Sequence, residues 1–365
     1  MSQSIEPIFE GDCCLNDEQP FRLFFGGQLS ALTLRYTTYG KLNKQRDNGV
    51  LVCHALSGSS RVAEWWPKLF EVGRPFDPER YFVICVNTPG SCYGSTGPLS
   101  INPQTDRRYG KDFPLISIRD IVRTQAKVLD MLGIERLHSI IGGSIGGMQA
   151  LQFAIDYPER VSRSISIAAT PLSAMGLALN HLQRQAIYND SRWLNGYYDP
   201  QKQPLDGLAL ARSIAMCTYK SAELFAERFA RRPNRNVEDP TKSLDDRFCV
   251  AGYLDYQGQL FTKRFDANSY LIMTKVMDNF DLSHGFNSEQ EAIRRIKAQC
   301  VLIGISSDWL FPAEDVRSLW CKFKSTGVDS IYHELESSHG HDGFLVDCDA
   351  LCSLIGKSGV SGVSG

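Results

Sequence analysis

Two short stretches, Val50–Cys53 (VLVC) and Tyr81–Val86 (YFVICV), are apolar without a break. A strand with one wet face alternates apolar and polar residues, so an unbroken run fits a strand covered on both faces, as in the middle of a parallel sheet. The neighbouring sequence supplies the helices that such a sheet needs. Between Ser117 and Leu132 apolar residues fall at 118, 121, 122, 126, 129 and 132, a helical stripe. Ser117 is placed to cap it, with Asp120 three residues on and Gly133 as its stop. Leu137 to Ile141 reads as a strand, Ile145 to Tyr157 as a helix stopped by Pro158, and Val161 to Ala168 as a further strand. With Leu32 to Tyr39 (LTLRYTTY) as an early strand, the alternation predicts an α/β fold: a parallel sheet with helices on both faces.

The rhythm changes after about residue 170. From 171 to 297 the patterns are mostly helical, as in LARSIAMCTY and SAELFAERFARR, and strand patterns return only at Cys300–Ile305 and Ser330–Leu335. About 125 residues are thus inserted between two consecutive strands, and we expect them to form a helical lid. The expected organisation is a core from 1–170 and 298–355, the lid at 171–297, and a disordered Gly/Ser-rich tail at 356–365. A length of 365 residues suits one large α/β domain with such an insertion.

The chemistry is most legible at Gly142-Gly143-Ser144-Ile145-Gly146-Gly147, set between the apolar LHSII and the helix that follows. A G-x-S-x-G in a strand-to-helix turn holds its serine on a strained bend, where larger neighbours would clash, and lifts Oγ above the sheet beside the positive end of a helix. A serine nucleophile needs a base, and the base needs an orienting group. In this kind of site the acid and then the histidine follow the serine along the chain. Asp308 lies just beyond the buried strand CVLIGI, and SSHGHDGFL offers His339 and His341 after the next strand. Asp315 falls inside a helical pattern and is the poorer acid. Between the histidines, His341 sits in a Gly-His-Asp turn before an apolar helix start and is preferred as base. The backbone N–H of Ile145, and that of Leu56 in the loop after VLVCH, are the expected oxyanion donors. His54 precedes that hole and is not expected to be catalytic.

Composition narrows the partners. Lys and Arg total 39 against 41 Asp and Glu, a net charge of −2, so no global field favours nucleic acid or an anionic membrane. No apolar run nears the roughly 20 residues of a bilayer span. The start, MSQSIEPIFEGD, lacks a signal-peptide core, and the eleven cysteines have no C-x-x-C, which points to buried free thiols and a cytoplasmic location. No residues show metal-ligand spacing, so no metal is expected.

Taken together, HALSG with a following EWW, NTPGSCYGSTGP, GGSIGGMQALQ, ARSIAMCTY, SSDWLFP and HGHDGFL resemble the homoserine O-acyltransferases of methionine biosynthesis, members of the α/β-hydrolase superfamily. The resemblance runs from about residue 10 to residue 350. It implies the α/β-hydrolase fold, with a mostly parallel eight-stranded sheet and the inserted helical lid. It implies ping-pong transfer of an acetyl group from acetyl-CoA, as co-substrate, to the γ-hydroxyl of L-homoserine, with no bound cofactor. Ser144, His341 and Asp308 would be the catalytic residues. By the same resemblance Arg212 would bind the α-carboxylate of the acceptor, Asp342 its ammonium group, and Tyr219 would be a weaker contact. Family members commonly pair through the lid, which implies a homodimer. The chain departs from the family pattern at Gly343, where alanine is expected, and at Ser57-Gly58-Ser59, where Thr-Gly-Asp is expected. Both lie near the pockets that choose donor and acceptor, so succinyl transfer and a serine acceptor are the alternatives within the family, and a serine esterase the alternative outside it. Arg317 is the candidate for a succinyl carboxylate. Arg184, Arg228, Arg231, Arg232 and Arg235 are candidates for CoA phosphates, although ARRPNR also reads as a solvated helix end. Trp65 and Trp66 are candidate acyl-pocket walls or core.

Overall fold

The computed structural model describes residues 5–15 and 19–360. Eight strands form one sheet: β1 (Phe9–Leu15), β2 (Leu32–Tyr39), β3 (Gly49–Cys53), β4 (Phe82–Val86), β5 (Ser139–Gly143), β6 (Arg163–Ile167), β7 (Gln299–Ile305) and β8 (Ser330–Leu335). Their spatial order is β1-β2-β4-β3-β5-β6-β7-β8. Only β2 runs against its neighbours; every pair from β4 to β8 is parallel. The apolar runs occupy the middle, as their composition requires: every residue of β3 and β5 is buried.

Seven of these strands lie where the hydrophobic pattern puts them; β1 does not announce itself. Its sequence, FEGDCCL, has no apolar run, and only Cys13 among its residues is buried. An edge strand needs one covered side, so its pattern is weak, and it is recruited by its register with β2, Phe9 against Thr38 to Leu15 against Leu32.

Local signals set the helix ends. Helix α1 (Ile118–Met131) begins with a capping box in which the Ser117 side chain accepts from the Asp120 amide and Asp120 returns a bond to the Ser117 amide. Helix α2 (Ile145–Asp156) starts directly from β5 and is buried over nearly its whole length. The two pack together, joined by a buried bond from Gln125 to Gln149 at 2.7 Å.

Between β6 and β7 lie only helices and loops: α3 (Ala174–Tyr188), α4 (Leu205–Tyr219), α5 (Ala222–Phe229), α6 (Cys249–Thr262), α7 (Ala267–Asp278) and α8 (Glu289–Arg294). Helix α4 packs between α3 and α6. Its end is fastened to the core segments that follow β7 and β8: Trp309 Nε1 donates to the Lys220 carbonyl at 3.2 Å, and Ser221 Oγ donates to the Ser338 carbonyl. Gly340, at φ 69°, lets this corner come close, since a Cβ there would lie 2.7 Å from both the Lys220 carbonyl carbon and the Ser221 nitrogen.

Two expectations need correction. The expected disordered tail at 356–365 is ordered over Gly356–Val360, which continues the last helix as a wider turn. Ser358 anchors it, buried, with Oγ bonded to the Leu354 carbonyl and 3.0 Å from His333 Nε2. Residues 361–365 lie outside the described residues. The cysteines are all free thiols, but Cys14, Cys217 and Cys321 are exposed rather than buried.

Candidate active site

The turn from β5 to α2 takes a single residue. Ser144 has φ 59° and ψ −130°, a region that disfavours any side chain, so the surroundings must hold it there. Its amide donates to the Ile167 carbonyl at 2.9 Å, and its own carbonyl accepts from Gly147 at 2.8 Å and Met148 at 3.1 Å. The flanking glycines are dictated by contact. A Cβ on Gly142 would lie 2.3 Å from the Gly146 carbonyl carbon, and one on Gly146 would lie 2.2 Å from the Cys53 carbonyl oxygen. Strand β3 therefore passes against the start of α2, which also brings its following loop, with Leu56, beside Ser144.

Asp308 and His341 follow β7 and β8, so both arrive at the same edge of the sheet as Ser144. His341 Nδ1 is 2.6 Å from Asp308 Oδ2, and both side chains are almost wholly buried. The other carboxylate oxygen, Oδ1, accepts from the amides of Leu310 at 2.9 Å and Phe311 at 3.0 Å, which fixes the carboxylate. That geometry puts the proton on Nδ1 and leaves Nε2 as the basic nitrogen. Nε2 is buried with no hydrogen-bond partner among the described residues, so no hydrogen bond joins it to Ser144. The rings of Phe311, Phe344 and Tyr219 surround the imidazole at centroid distances of 5.2, 5.6 and 5.8 Å. Burial pushes the ring's pKa down, but the charge of Asp308, the hydrogen bond to it and the charge of Asp342 outweigh burial and hold it above the ordinary imidazole value.

Ser144 and His341 open onto one cavity of about 780 Å³, which Leu56, Arg212, Tyr219 and Asp342 also line. The Leu56 amide makes no hydrogen bond to another described residue. The Ile145 amide, first in α2, has no acceptor within its helix. Arg212, on α4, is held between two rings, 5.2 Å from the centroid of Tyr219 and 4.9 Å from that of Phe261, and no ion pair with a described residue engages it. Burial raises the Tyr219 phenol above its ordinary value despite the Arg212 charge. Asp342 pairs with Lys220 Nζ at 2.7 Å. A buried serine, an imidazole oriented by a carboxylate, unpaired amides, and a cation opposite an anion can together perform acyl transfer at the serine and hold a zwitterion beside it.

His339 stands aside, its Nδ1 3.0 Å from Asp347, and His54 is neutral in the core, its pKa pushed down by burial to about 4. Several expectations are not met. Arg317 pairs with Glu334 at 2.6 Å and does not line the cavity. Nor do Arg184, Arg228, Arg231, Arg232 or Arg235; the arginines at the cavity are Arg35, Arg61 and Arg264 as well as Arg212. Arg264 is tied down by bonds to the Ser57 carbonyl at 2.9 Å and the Tyr93 hydroxyl at 2.6 Å. Trp65 walls the cavity, whereas Trp66 is core, its Nε1 donating to the Phe344 carbonyl at 2.8 Å. Sequence reasoning missed Lys220, although it directly follows Tyr219, because a lysine at a helix end carries no signal of its own. It also missed Phe311 and Phe344, which sat unremarked inside the SSDWLFP and HGHDGFL motifs.

Residues 48–347 match the family model described as the alpha/beta hydrolase fold. The chain is 43% identical to a homoserine O-acetyltransferase of Moorella thermoacetica, covering 95% of this chain and 94% of that one. It is equally similar, at 43%, to a homoserine O-succinyltransferase of Alkalilimnicola ehrlichii, over 91% and 90% of the two chains. This chain belongs to the homoserine O-acyltransferase family of the α/β hydrolases. Among solved structures, a homoserine O-acetyltransferase from Bacillus anthracis superposes with a TM-score of 0.89 at 27% identity, covering 96% of this chain and 97% of that one. Esterase E22 superposes with a TM-score of 0.87 at 28% identity, over 96% and 99%. Gly343, where alanine is expected, has a local reason to lack a Cβ: one would lie 2.7 Å from Ser337 Oγ, which is itself bonded to Asp347 at 2.5 Å.

The balance at His341 gives a direct test. Ring-nitrogen NMR of the whole protein should show His341 titrating above the ordinary imidazole value. In Asp308→Asn the largest opposing influence, burial, is left against Asp342 alone, so the titration should move down. An unchanged titration would mean that Asp308 does not govern this ring.

Proposed function

We propose that the chain transfers the acetyl group of acetyl-CoA to the γ-hydroxyl of L-homoserine, giving O-acetyl-L-homoserine for methionine biosynthesis. The observation that carries this reading is the convergence of the Asp308–His341 pair and Ser144 on a cavity that also holds Arg212 and Asp342. Ser144 Oγ attacks the thioester carbonyl as its proton passes to His341 Nε2. The amides of Leu56 and Ile145 hold the oxyanion of the tetrahedral intermediate. Its collapse breaks the carbon–sulfur bond, and CoA leaves as the thiol, taking the proton from Nε2. Homoserine then repeats the sequence in reverse: its γ-hydroxyl gives a proton to Nε2 while its oxygen attacks the acetyl carbon, and Ser144 leaves with that proton.

Transfer must outcompete hydrolysis of the acetyl-serine. A clamp on both charged groups of the acceptor raises its effective concentration at the acyl carbon, an effect of roughly 7–11 kcal/mol at its strongest. The rings of Tyr219 and Phe261 leave Arg212 few positions, so its fork is set for the α-carboxylate. Asp342 takes the ammonium group, displacing or sharing Lys220. No cofactor has a role in this sequence of steps. Arg35, Arg61 and Arg264 line the same cavity, and CoA phosphates would meet them in competition with Asp12, which pairs with Arg35, and with Glu10 and Glu64, which pair with Arg61.

The likeness to esterase E22 favours a second reading, a serine esterase, because that protein shares nearly the whole architecture. The readings part at the second half-reaction. We also propose that two copies pair through the insertion, in the cytoplasm. Met175, Leu182, Leu210, Tyr256 and Leu260 leave apolar surface exposed on its helices. Among the described residues no helix is long and apolar enough to cross a membrane.

Intact-mass measurement should show one acetyl group on the protein after mixing with acetyl-CoA alone, absent in Ser144→Ala and discharged by homoserine. Discharge at the same rate without homoserine would establish the esterase, and equal or faster turnover with succinyl-CoA would displace the acetyl donor. Steady-state kinetics of Arg212→Lys should show the homoserine KM raised about 10- to 100-fold, the loss of one bidentate charged pair, with the acetylation step little changed. Sedimentation at micromolar concentration should give the mass of two chains; a single chain would refute pairing.

A further inference from the structure

A second cavity, of about 470 Å³, shares no lining residue with the first. It lies where the core turn at Gly110–Lys111 meets helices α3 and α7 of the insertion. Its walls are apolar and aromatic: Leu115, Leu271 and Ile272, with Tyr188 and Trp193, whose ring centroids are 4.6 Å apart. Its charged lining is of one sign, Lys111, Arg184 and Lys275, with exposed His181 at the edge. Asp278 is the carboxylate that pairs with two of them. Asp278 pairs with Arg184 Nη2 at 2.6 Å, lies 3.9 Å from Lys275, and accepts from Asn180 at 2.9 Å. The other guanidinium nitrogen, Arg184 Nη1, is buried away from the cavity space, with no hydrogen-bond partner among the described residues. Lys111 makes no ion pair with a described residue; its ammonium sits 5.1 Å from the Tyr197 ring centroid.

Three cations against one carboxylate give this cavity an excess of positive charge in a chain whose net charge is −2. The excess is therefore local, and a low-dielectric wall beside it concentrates its field on whatever enters. Volume, apolar walls and a few convergent polar groups are the attributes of a small-molecule site.

We infer that this cavity binds a small organic anion, its phosphate or carboxylate set among Lys111, Arg184 and Lys275 and its planar or apolar body against Trp193 and Leu271. The site joins the core turn to the insertion, so its occupant holds the two together at a place that shares no lining residue with the cavity at Ser144. The inference stands whether the first cavity acetylates homoserine or hydrolyses esters.

Calorimetric titration of the whole protein tests it with three probes: ADP, 3-phenylpropionate and inorganic phosphate. At least one of the two probes with a body should bind with a Kd of about 1 mM or tighter, and phosphate about 10-fold more weakly or not at all. ADP alone marks a phosphate site, 3-phenylpropionate alone a carboxylate site. The double variant Lys111→Gln/Lys275→Gln changes two exposed side chains outside the first cavity, so it should keep its turnover while binding weakens about 10-fold or more. Arg61→Gln, at the first cavity, should leave binding within about 2-fold. Absence of heat from all three probes up to about 10 mM, or binding that Arg61→Gln abolishes and the double variant leaves unchanged, overturns the proposal.

Discussion

The close passage of strand β3 beneath the start of helix α2 is the contact on which the site depends. With the Cys53 carbonyl 2.2 Å from where a Cβ of residue 146 would stand, the chain turns from strand to helix within one residue only if residues 142 and 146 are glycine. The turn then forces Ser144 into a positive φ and keeps it there with three backbone hydrogen bonds. A strain of order 1–3 kcal/mol is thereby held by the most rigid part of the molecule, the buried centre of the sheet. The same passage sets the Leu56 loop beside the serine, so Ser144 and the Leu56 amide are positioned by one contact rather than two.

The rest of the site is hung on the same edge of the sheet but by longer routes. Asp308 is immobilised by two amides, and through it the imidazole of His341 is oriented and kept basic against a burial that opposes its charge. The insertion completes the cavity. Its α4 presents Arg212 and Tyr219, and the Lys220–Ser221 corner rests on the turn that carries His341, an approach that Gly340 permits. Movement of α4 would therefore be felt both at the cation and at the base. Lys220 adds a constraint of its own: it pairs with Asp342, so any other cation brought to that carboxylate would compete with an internal one.

Much of this was legible beforehand because it is local. An unbroken apolar run such as VLVC can only sit between two covered faces, and a glycine-flanked serine between strand and helix can only form a sharp bend. Ser117 and Asp120 cap α1 by their own side chains. Asp308 and His341 could be picked from their neighbours because each follows a strand pattern directly. Strand β1 was not legible, since an edge strand is made by its partner rather than by its own pattern. The tail was misjudged for a related reason: glycine and serine predict flexibility on their own, whereas Ser358 is buried by a partner, His333, that lies 25 residues earlier in the chain.

The sequence by itself determined the parallel sheet, the bend at Ser144 and the order of serine, acid and base, because periodicity, steric size and capping act between residues that are near neighbours along the chain. Only the tertiary structure decided which charges meet. Arg317 and the helical arginines face elsewhere, Arg35, Arg61 and Arg264 reach the cavity, and Lys111, Arg184 and Lys275 gather around a second one. A charge is carried on a long side chain and acts through space, so its partner is set by which surfaces pack together, and that is not written in the residues beside it.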